Sequence, residues 1–263
     1  MLFRSVTPPT GYAHSLRCFS ASCLDGSVPE FRPALLFFSH RPEREWLNKR
    51  FVPHDRTKTR RVAQALYDHT RTAAHTSGLP VLEVTDAQQR GTTFGERLSN
   101  AVHDAFEAGY THVIAVGSDC PTLDAVDWDD VLDRLQQGLP VLGPTPDATG
   151  TYLIGLARAH FDPSAFAALP WQSPRLLEAL TRHLTHVADV PARLSPRADI
   201  NGHGDLVVFV RSCRVNALLC QRLRAILGTP QPGAAISILL SSFSAHHRPS
   251  RGPPMQTAPV EDS

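Results

Sequence analysis

The chain has 263 residues, 42% of them hydrophobic and 19% charged, so it can bury a sizeable core, and we expect one autonomous soluble domain. Its formal net charge of +1 gives no general attraction for nucleic acid or an anionic membrane, so neither partner is expected. The five cysteines are odd in number and lack Cys-x-x-Cys spacing, which argues against a disulfide framework and a structural zinc site. No apolar run is long enough for a membrane span, and a reducing cytoplasm is the expected setting.

The two ends of the chain differ in composition from its middle. Residues 1–29 mix Ser, Thr, Pro and Gly without sustained periodicity, which predicts a disordered or poorly ordered extension. Residues 229–263 are again rich in Pro, Ser, Gly and His, which predicts a disordered tail. The folded domain is therefore expected over residues 30–228.

Strand and helix patterns alternate through the first half of this domain. Residues 33–39 form an apolar run of strand length, and 40–57 are polar and punctuated by proline, which indicates a loop. Apolar residues then recur at helical spacing over 56–78, followed by a second strand at 80–85 and a second helix over 94–109. This alternation predicts an α/β fold with a mainly parallel mixed sheet and helices on both faces.

The central stretch runs from Thr111 to Leu123. It contains an apolar run with β-branched residues, and a short turn after this run carries a single carboxylate, Asp119. Val113 and Val116 fit a strand covered on both faces, and the small residues after them permit a close approach of the backbone. Ligands bind at the carboxyl ends of strands in open α/β sheets, so Asp119 is a candidate site residue. The alternative is that Asp119 only accepts bonds from local amides in an Asx-type turn.

The second half continues the alternation. Thr122 is expected to cap a helix that runs to about Gln137 and stops at Gly138. The remaining predicted elements are strands at 140–143 and 152–156, a helix with Pro174 in its first turn, and one or two helices over 206–228.

A second informative stretch is Asp199-Ile-Asn-Gly-His-Gly-Asp-Leu206. Its acid and amide side chains are of the kind that bind hard metal ions. Asn and Asp also favour turns without any ligand, so an Asx-turn at the start of a helix remains the alternative.

Three segments together resemble a known family: Gly117-Ser-Asp-Cys-Pro-Thr-Leu123, Val141-Leu-Gly-Pro144 and Tyr152-Leu-Ile-Gly-Leu156. They are similar to the uncharacterised bacterial glycosyltransferase-like family called domain of unknown function 2064, within the nucleotide-diphospho-sugar transferases. The resemblance spans roughly residues 33–210 and implies a single-domain fold of the GT-A type. The turn around Asp147 is one residue longer than the family's Asp-Gly-Gly turn.

The resemblance also implies site residues. Asp119 would be the catalytic residue, and with Asn201 or Asp199 it would hold Mg²⁺ or Mn²⁺ through oxygen ligands. Lys58-Thr-Arg60 looks like the family's Lys-Thr-Arg element, so Lys58 and Arg60 are candidate phosphate ligands, although the same basic run could be a solvated helix face. Two further nucleotide-binding candidates are Lys49 and Ser118.

These residues lead to a functional hypothesis with two alternatives. The leading hypothesis is a metal-dependent glycosyltransferase-like enzyme that uses a nucleotide sugar and an unknown small-molecule acceptor. The first alternative is a nucleotidyltransferase that acts on a phosphorylated small molecule, which is disfavoured because Ser39–Glu45 contains none of the glycines of a phosphate-binding loop. The second alternative is a nucleotide-binding protein that has lost catalysis.

Overall fold

The computed structural model describes residues 30–213 and 217–229. The predicted N-terminal extension, 1–29, lies outside these residues, and so does the predicted tail 229–263 apart from its first residue. Within the described ranges, no helix is long and apolar enough to cross a membrane.

The centre of the domain is one six-stranded sheet. Its strands are β1 (Pro33–Phe38), β2 (Val81–Val84), β3 (His112–Val116), β4 (Val141–Pro144), β5 (Thr151–Ala157) and β6 (Ala192–Arg193). Their order across the sheet is β2-β1-β3-β5-β4-β6. β1 lies parallel to β2 and β3, and β4 is parallel to β6, whereas β5 runs antiparallel between β3 and β4. The prediction of a mainly parallel mixed sheet is therefore confirmed.

Helices cover both faces of this sheet, as the alternating pattern predicted. They are α1 (Pro42–Asn48), α2 (Arg56–His75), α3 (Phe94–Glu107), α4 (Trp128–Gln136), α5 (Pro163–Ala167), α6 (Leu176–Val187), α7 (His203–Ser212) and α8 (Leu218–Leu227). Successive side chains of a strand point to opposite faces. Leu36 and Phe38 of β1 accordingly join a core with α3, α5 and α6, while Leu35 and Phe37 join a second core with α2 and α4.

A third apolar core lies beside the sheet and holds the end of the domain in place. Phe51 and Leu66 pack there with Ile200 and with buried residues of α7 and α8. Ile200 also donates its backbone N–H to the carbonyl of Asp119, at 2.9 Å. This core therefore brings the 199–201 segment to the carboxyl end of β3.

Several elements differ from the sequence predictions. The expected loop over 40–57 contains α1, which has Pro42 in its first turn, where the missing N–H of proline costs no helical bond. The single helix expected from Thr122 is interrupted: a 3-10 turn over Leu123–Ala125 precedes α4, which is capped by Asp127 and not by Thr122. The short elements α5 and β6 were not predicted.

The cysteines also require a correction. Cys213 and Cys220 form a disulfide, with their Cα atoms 6.4 Å apart, whereas the sequence argued against a disulfide framework. The pairing depends on how α7 and α8 meet, which Cys spacing does not reveal. Cys120 is free and buried.

Candidate functional site

The candidate site is an open cleft of about 1060 Å³ at the carboxyl ends of β1 and β3. Its floor includes Gly117, Ser118 and Asp119, which directly follow β3. The facing walls come from the start of β5, from the loop at Trp171, and from Asp199 and Asn201. Because β5 is antiparallel to β3, its beginning lies at the same edge of the sheet as the end of β3. We call this opening the cleft.

Asp119 is held by an ion pair. The Lys49 ammonium lies 2.6 Å from Asp119 Oδ2 and 3.0 Å from Glu45 Oε1. The Lys49 and Glu45 side chains are only 16% and 11% exposed, against 34% for Asp119. Burial alone would lower the pKa of Lys49, but the two carboxylates more than compensate and raise it. Lys49 is therefore a cation on the wall of the cleft at neutral pH.

Asp199 differs from Asp119 because one of its oxygens has no partner. Asp199 Oδ1 is buried without a hydrogen bond among the described residues. Burial, with the nearby Asp119 carboxylate as the next cause, raises the pKa of Asp199 to about 7. A buried oxygen of this kind is costly unless a proton or another cation satisfies it.

Asn201 is exposed and lines the cleft. Its backbone N–H and that of Gly202 donate to Asp205 Oδ2, at 2.9 and 3.0 Å. Asp205 thus accepts hydrogen bonds from the backbone N–H groups at the start of α7. The Asn201 side chain makes no hydrogen bond within 30–213 and 217–229. The geometry is not that of an Asx-turn in which the Asn201 amide caps the helix.

A divalent ion in this cleft would have to share its ligands between the protein and a substrate. No group of three or more His, Cys, Asp or Glu side chains able to hold a metal occurs in the described ranges. Mg²⁺ in nucleotide sites is often held by one or two carboxylates together with substrate phosphates, and Asp119 with Asp199 would supply two. The unpartnered Asp199 Oδ1 is the observation that agrees with such an ion.

The predicted phosphate ligands do not all reach the cleft. Lys49 and Ser118 line it, and Ser118 Oγ lies 3.4 Å from Asp119 Oδ1. Lys58 and Arg60 lie at the beginning of α2, where they do not line the cleft. Their contact with a nucleotide stays a prediction, and Lys49 is the base that the fold brings to Asp119.

Glu45 and Arg97 line the cleft but are not among the predicted site residues. Glu45 pairs with Lys49. Its signal was the spacing of four residues from Lys49, which places both side chains on one helix face, and that signal was hidden by the loop prediction. Arg97 lines the cleft with a buried Nε that has no partner among the residues described.

Other candidate positions have structural partners. Asp147 accepts hydrogen bonds from Thr145 and Thr149 within its own turn, at 2.7 and 2.8 Å, which lowers its pKa. Trp171 donates from its indole N–H to the Phe166 carbonyl and packs against Phe94, so it is a residue of the cleft's apolar rim. Burial raises the pKa of the Cys120 thiol to about 12, which does not suit a nucleophile.

Comparison with solved structures finds chains with a similar fold. A candidate nucleotide-diphospho-sugar transferase from Desulfovibrio desulfuricans G20 aligns with a TM-score of 0.56 and 22% identity, over 75% of this chain and 97% of that one. Rv0371c from Mycobacterium tuberculosis H37Rv aligns with a TM-score of 0.41 and 16% identity, over 71% and 100% of the two chains. The homologue of this protein from Mycobacterium sp. strain JC1 aligns with a TM-score of 0.42 and 13% identity, over 74% of this chain and 98% of that one.

Comparison at the level of sequence gives a match to one family model. Curated proteins give no significant match. Residues 55–173 match the model of the family described as "Uncharacterized protein conserved in bacteria (DUF2064)". This range contains Asp119 and the three segments on which the resemblance was based. Over residues 55–173 the chain is therefore similar to the DUF2064 family, and its fold is similar to that of the Desulfovibrio protein.

Proposed function

We propose that this protein is a metal-dependent glycosyltransferase-like enzyme that takes a nucleotide-diphosphate sugar as donor and a small molecule as acceptor. One observation carries the proposal: two carboxylates, Asp119 and Asp199, and one ammonium, Lys49, meet in a single cleft at the carboxyl end of the sheet. Oxygen ligands beside a fixed cation are what a bound diphosphate and its metal ion require. A cytoplasmic setting belongs to the proposal.

Each residue has a role in this reaction. Asp119, Asp199 and Asn201 would hold Mg²⁺ or Mn²⁺, and the bound ion supplies charge neutralisation as the nucleoside diphosphate leaves. Lys49 binds the same diphosphate through its ammonium and stabilises the negative charge that develops on it. Ser118 offers a short side chain beside Asp119, which leaves room for the donor.

One feature favours transfer of a sugar over transfer of a nucleotide. The segment between β1 and α2 has no glycine from Ser39 to Glu45, and it folds into α1 instead of a loop with free backbone donors. The cleft therefore suits a diphosphate better than a triphosphate whose pyrophosphate departs.

Calorimetry of a nucleoside diphosphate with Mn²⁺ and with excess chelator tests the proposal. A diphosphate beside Asp119 and Asp199 meets two carboxylates, so we expect affinity to fall by at least about tenfold without the ion. Asp119→Ala should remove the effect of Mn²⁺. Asp133→Asn, at an exposed position of α4, is the matched control and should bind like the wild type. Equal affinity in chelator would contradict the metal role, and an unaffected Asp119→Ala would contradict the site.

A further inference from the structure

The residue after α1 places a cation next to Asp119, an expected metal ligand. Lys49 directly follows α1, and its ammonium is 2.6 Å from the Asp119 oxygen that would bind the ion. Glu45, one turn earlier, is 3.0 Å from the same ammonium. Since Lys49 is largely buried and paired with both acids, it is a fixed part of the metal-free cleft.

A divalent ion and the Lys49 ammonium cannot both occupy the same side of Asp119. Two cations that share one carboxylate oxygen repel each other, and a half-buried site screens this repulsion less than water does. Lys49 therefore has to leave Asp119 if a metal binds through Oδ2, the oxygen that the ammonium contacts. Glu45 is the group that can keep the ammonium inside the cleft after it has left.

The position of Glu45 is itself fixed. The start of α1 is tied to the end of β2, because Asp86 accepts the Arg41 backbone N–H at 2.8 Å and the Arg41 Nε at 3.1 Å. The Glu45 side chain is buried, and it lies on the face of α1 that turns towards Lys49. It can therefore retain the ammonium without following it.

We propose that Glu45 is a positioning residue that lets Lys49 alternate between two partners. In the metal-free protein the ammonium neutralises Asp119, and when metal and nucleotide are bound it moves to the diphosphate while Glu45 keeps it oriented. The diphosphate half of this inference rests on the proposed function. The competition between Lys49 and a metal ion at Asp119 does not depend on the proposed function.

The competition is tested by titrating Mn²⁺ into the nucleotide-free protein and measuring free Mn²⁺ by electron paramagnetic resonance. Lys49→Met should bind Mn²⁺ about tenfold more tightly than the wild type, because no ammonium has to be displaced. Lys49→Arg retains the positive charge and should resemble the wild type. Equal or weaker Mn²⁺ binding by Lys49→Met, with an unchanged thermal midpoint, would overturn the inference. Lys49→Gln replaces Lys49→Met if that variant fails to fold.

The role of Glu45 is tested by whether Glu45→Gln binds a nucleoside diphosphate more tightly or more weakly than the wild type. If Glu45 were only a nearby negative charge, Glu45→Gln would bind a nucleoside diphosphate at saturating Mn²⁺ more tightly. If Glu45 positions Lys49, the same variant should bind it about fivefold more weakly, in the direction of Lys49→Met. Glu43→Gln removes an exposed carboxylate from the same helix and is the control, with affinity expected within about twofold of wild type. Unchanged or tighter binding by Glu45→Gln would overturn its role.

The two experiments separate this inference from the proposed function. A wild-type protein that binds no nucleoside diphosphate with Mn²⁺ would contradict the proposed function and the diphosphate half of the inference. Tighter Mn²⁺ binding by Lys49→Met would still establish the competition at Asp119. Normal nucleotide binding together with an unaffected Glu45→Gln would contradict the inference alone.

Discussion

At the scale of single residues, the two carboxylates of the cleft have opposite surroundings. Asp119 has an ammonium 2.6 Å away, whereas Asp199 has a buried oxygen without a hydrogen bond in the described part of the chain. A negative charge on Asp199 is therefore unfavourable in the metal-free site.

Asp199→Asn should stabilise the metal-free protein at pH 8. Burial, then the Asp119 charge, raises the pKa of Asp199 from 3.8 to about 7, so the folded state holds its proton more tightly than the unfolded state. The stability that this proton provides is complete below about pH 4 and is lost as pH rises through 7. At pH 8 we expect Asp199→Asn to gain roughly 2–4 kcal/mol over wild type, and the difference should vanish near pH 4.

Urea unfolding in chelator, at intervals from pH 4 to pH 8, measures this difference. Asp133→Asn changes an exposed aspartate of α4 and should show no comparable dependence on pH. A difference between Asp199→Asn and wild type that stays constant over the whole range would contradict the electrostatic account of Asp199.

Asn201→Ala should separate a ligand residue from a turn residue. The Asn201 side chain is exposed and has no hydrogen bond among the residues that the structure describes, so its removal should leave the thermal midpoint nearly unchanged. Metal-dependent binding of a nucleoside diphosphate should weaken, by calorimetry, about three- to tenfold. A loss of about 1–2 kcal/mol of stability with unchanged affinity would identify Asn201 as a turn residue instead.

At the scale of elements, α3 approaches α5 and Trp171 through a glycine. A Cβ atom at Gly95 would lie 2.2 Å from the Ala167 carbonyl oxygen and 2.5 Å from Trp171 Cδ1. The close contact therefore depends on the absence of a side chain. Since Trp171 lines the cleft, this packing also fixes part of the cleft's wall.

Gly95→Ala should destabilise the protein by about 1–3 kcal/mol, although alanine is the better helix former. The backbone of Ala167 cannot give way as a flexible side chain would. Gly204→Ala, in α7 with no atom within 4 Å of the new Cβ, is the control and should be neutral or slightly stabilising. Urea unfolding measures both, and equal stability of the two variants would contradict the packing argument.

The elements also differ in how far the sequence predicted them. β1, β3 and β5 are continuous apolar runs, which is the pattern of strands covered on both faces, and all three were predicted. β6 has two residues and α5 has five, which is too short for any period. The helix α1 was missed because most of its residues are polar and Pro42 suggested a loop. The pairing of Glu45 with Lys49 was therefore not predicted.

At the scale of the whole molecule, the site is assembled from distant parts of the chain. Asp119 follows β3, and Asp199 is brought beside it by the bond from Ile200 N–H to the Asp119 carbonyl and by the burial of Ile200 with α7 and α8. The spacing of Asp119 and Asp199 in the sequence carries no information about such a contact. The pair was predicted only through the family resemblance. Which base reaches the carboxylates depends on the path between α1 and α2, so the sequence offered Lys49 and Lys58 as equals.

The products of the reaction show most directly whether the donor is a nucleotide sugar. Purified protein with Mn²⁺ and a pool of cell metabolites is given a panel of nucleotide sugars and, separately, nucleoside triphosphates. We expect release of nucleoside diphosphate from a nucleotide sugar, abolished by Asp119→Ala and by chelator. Metal-dependent release of pyrophosphate from a nucleoside triphosphate, stopped by the same variant, would contradict this expectation and identify a nucleotidyltransferase.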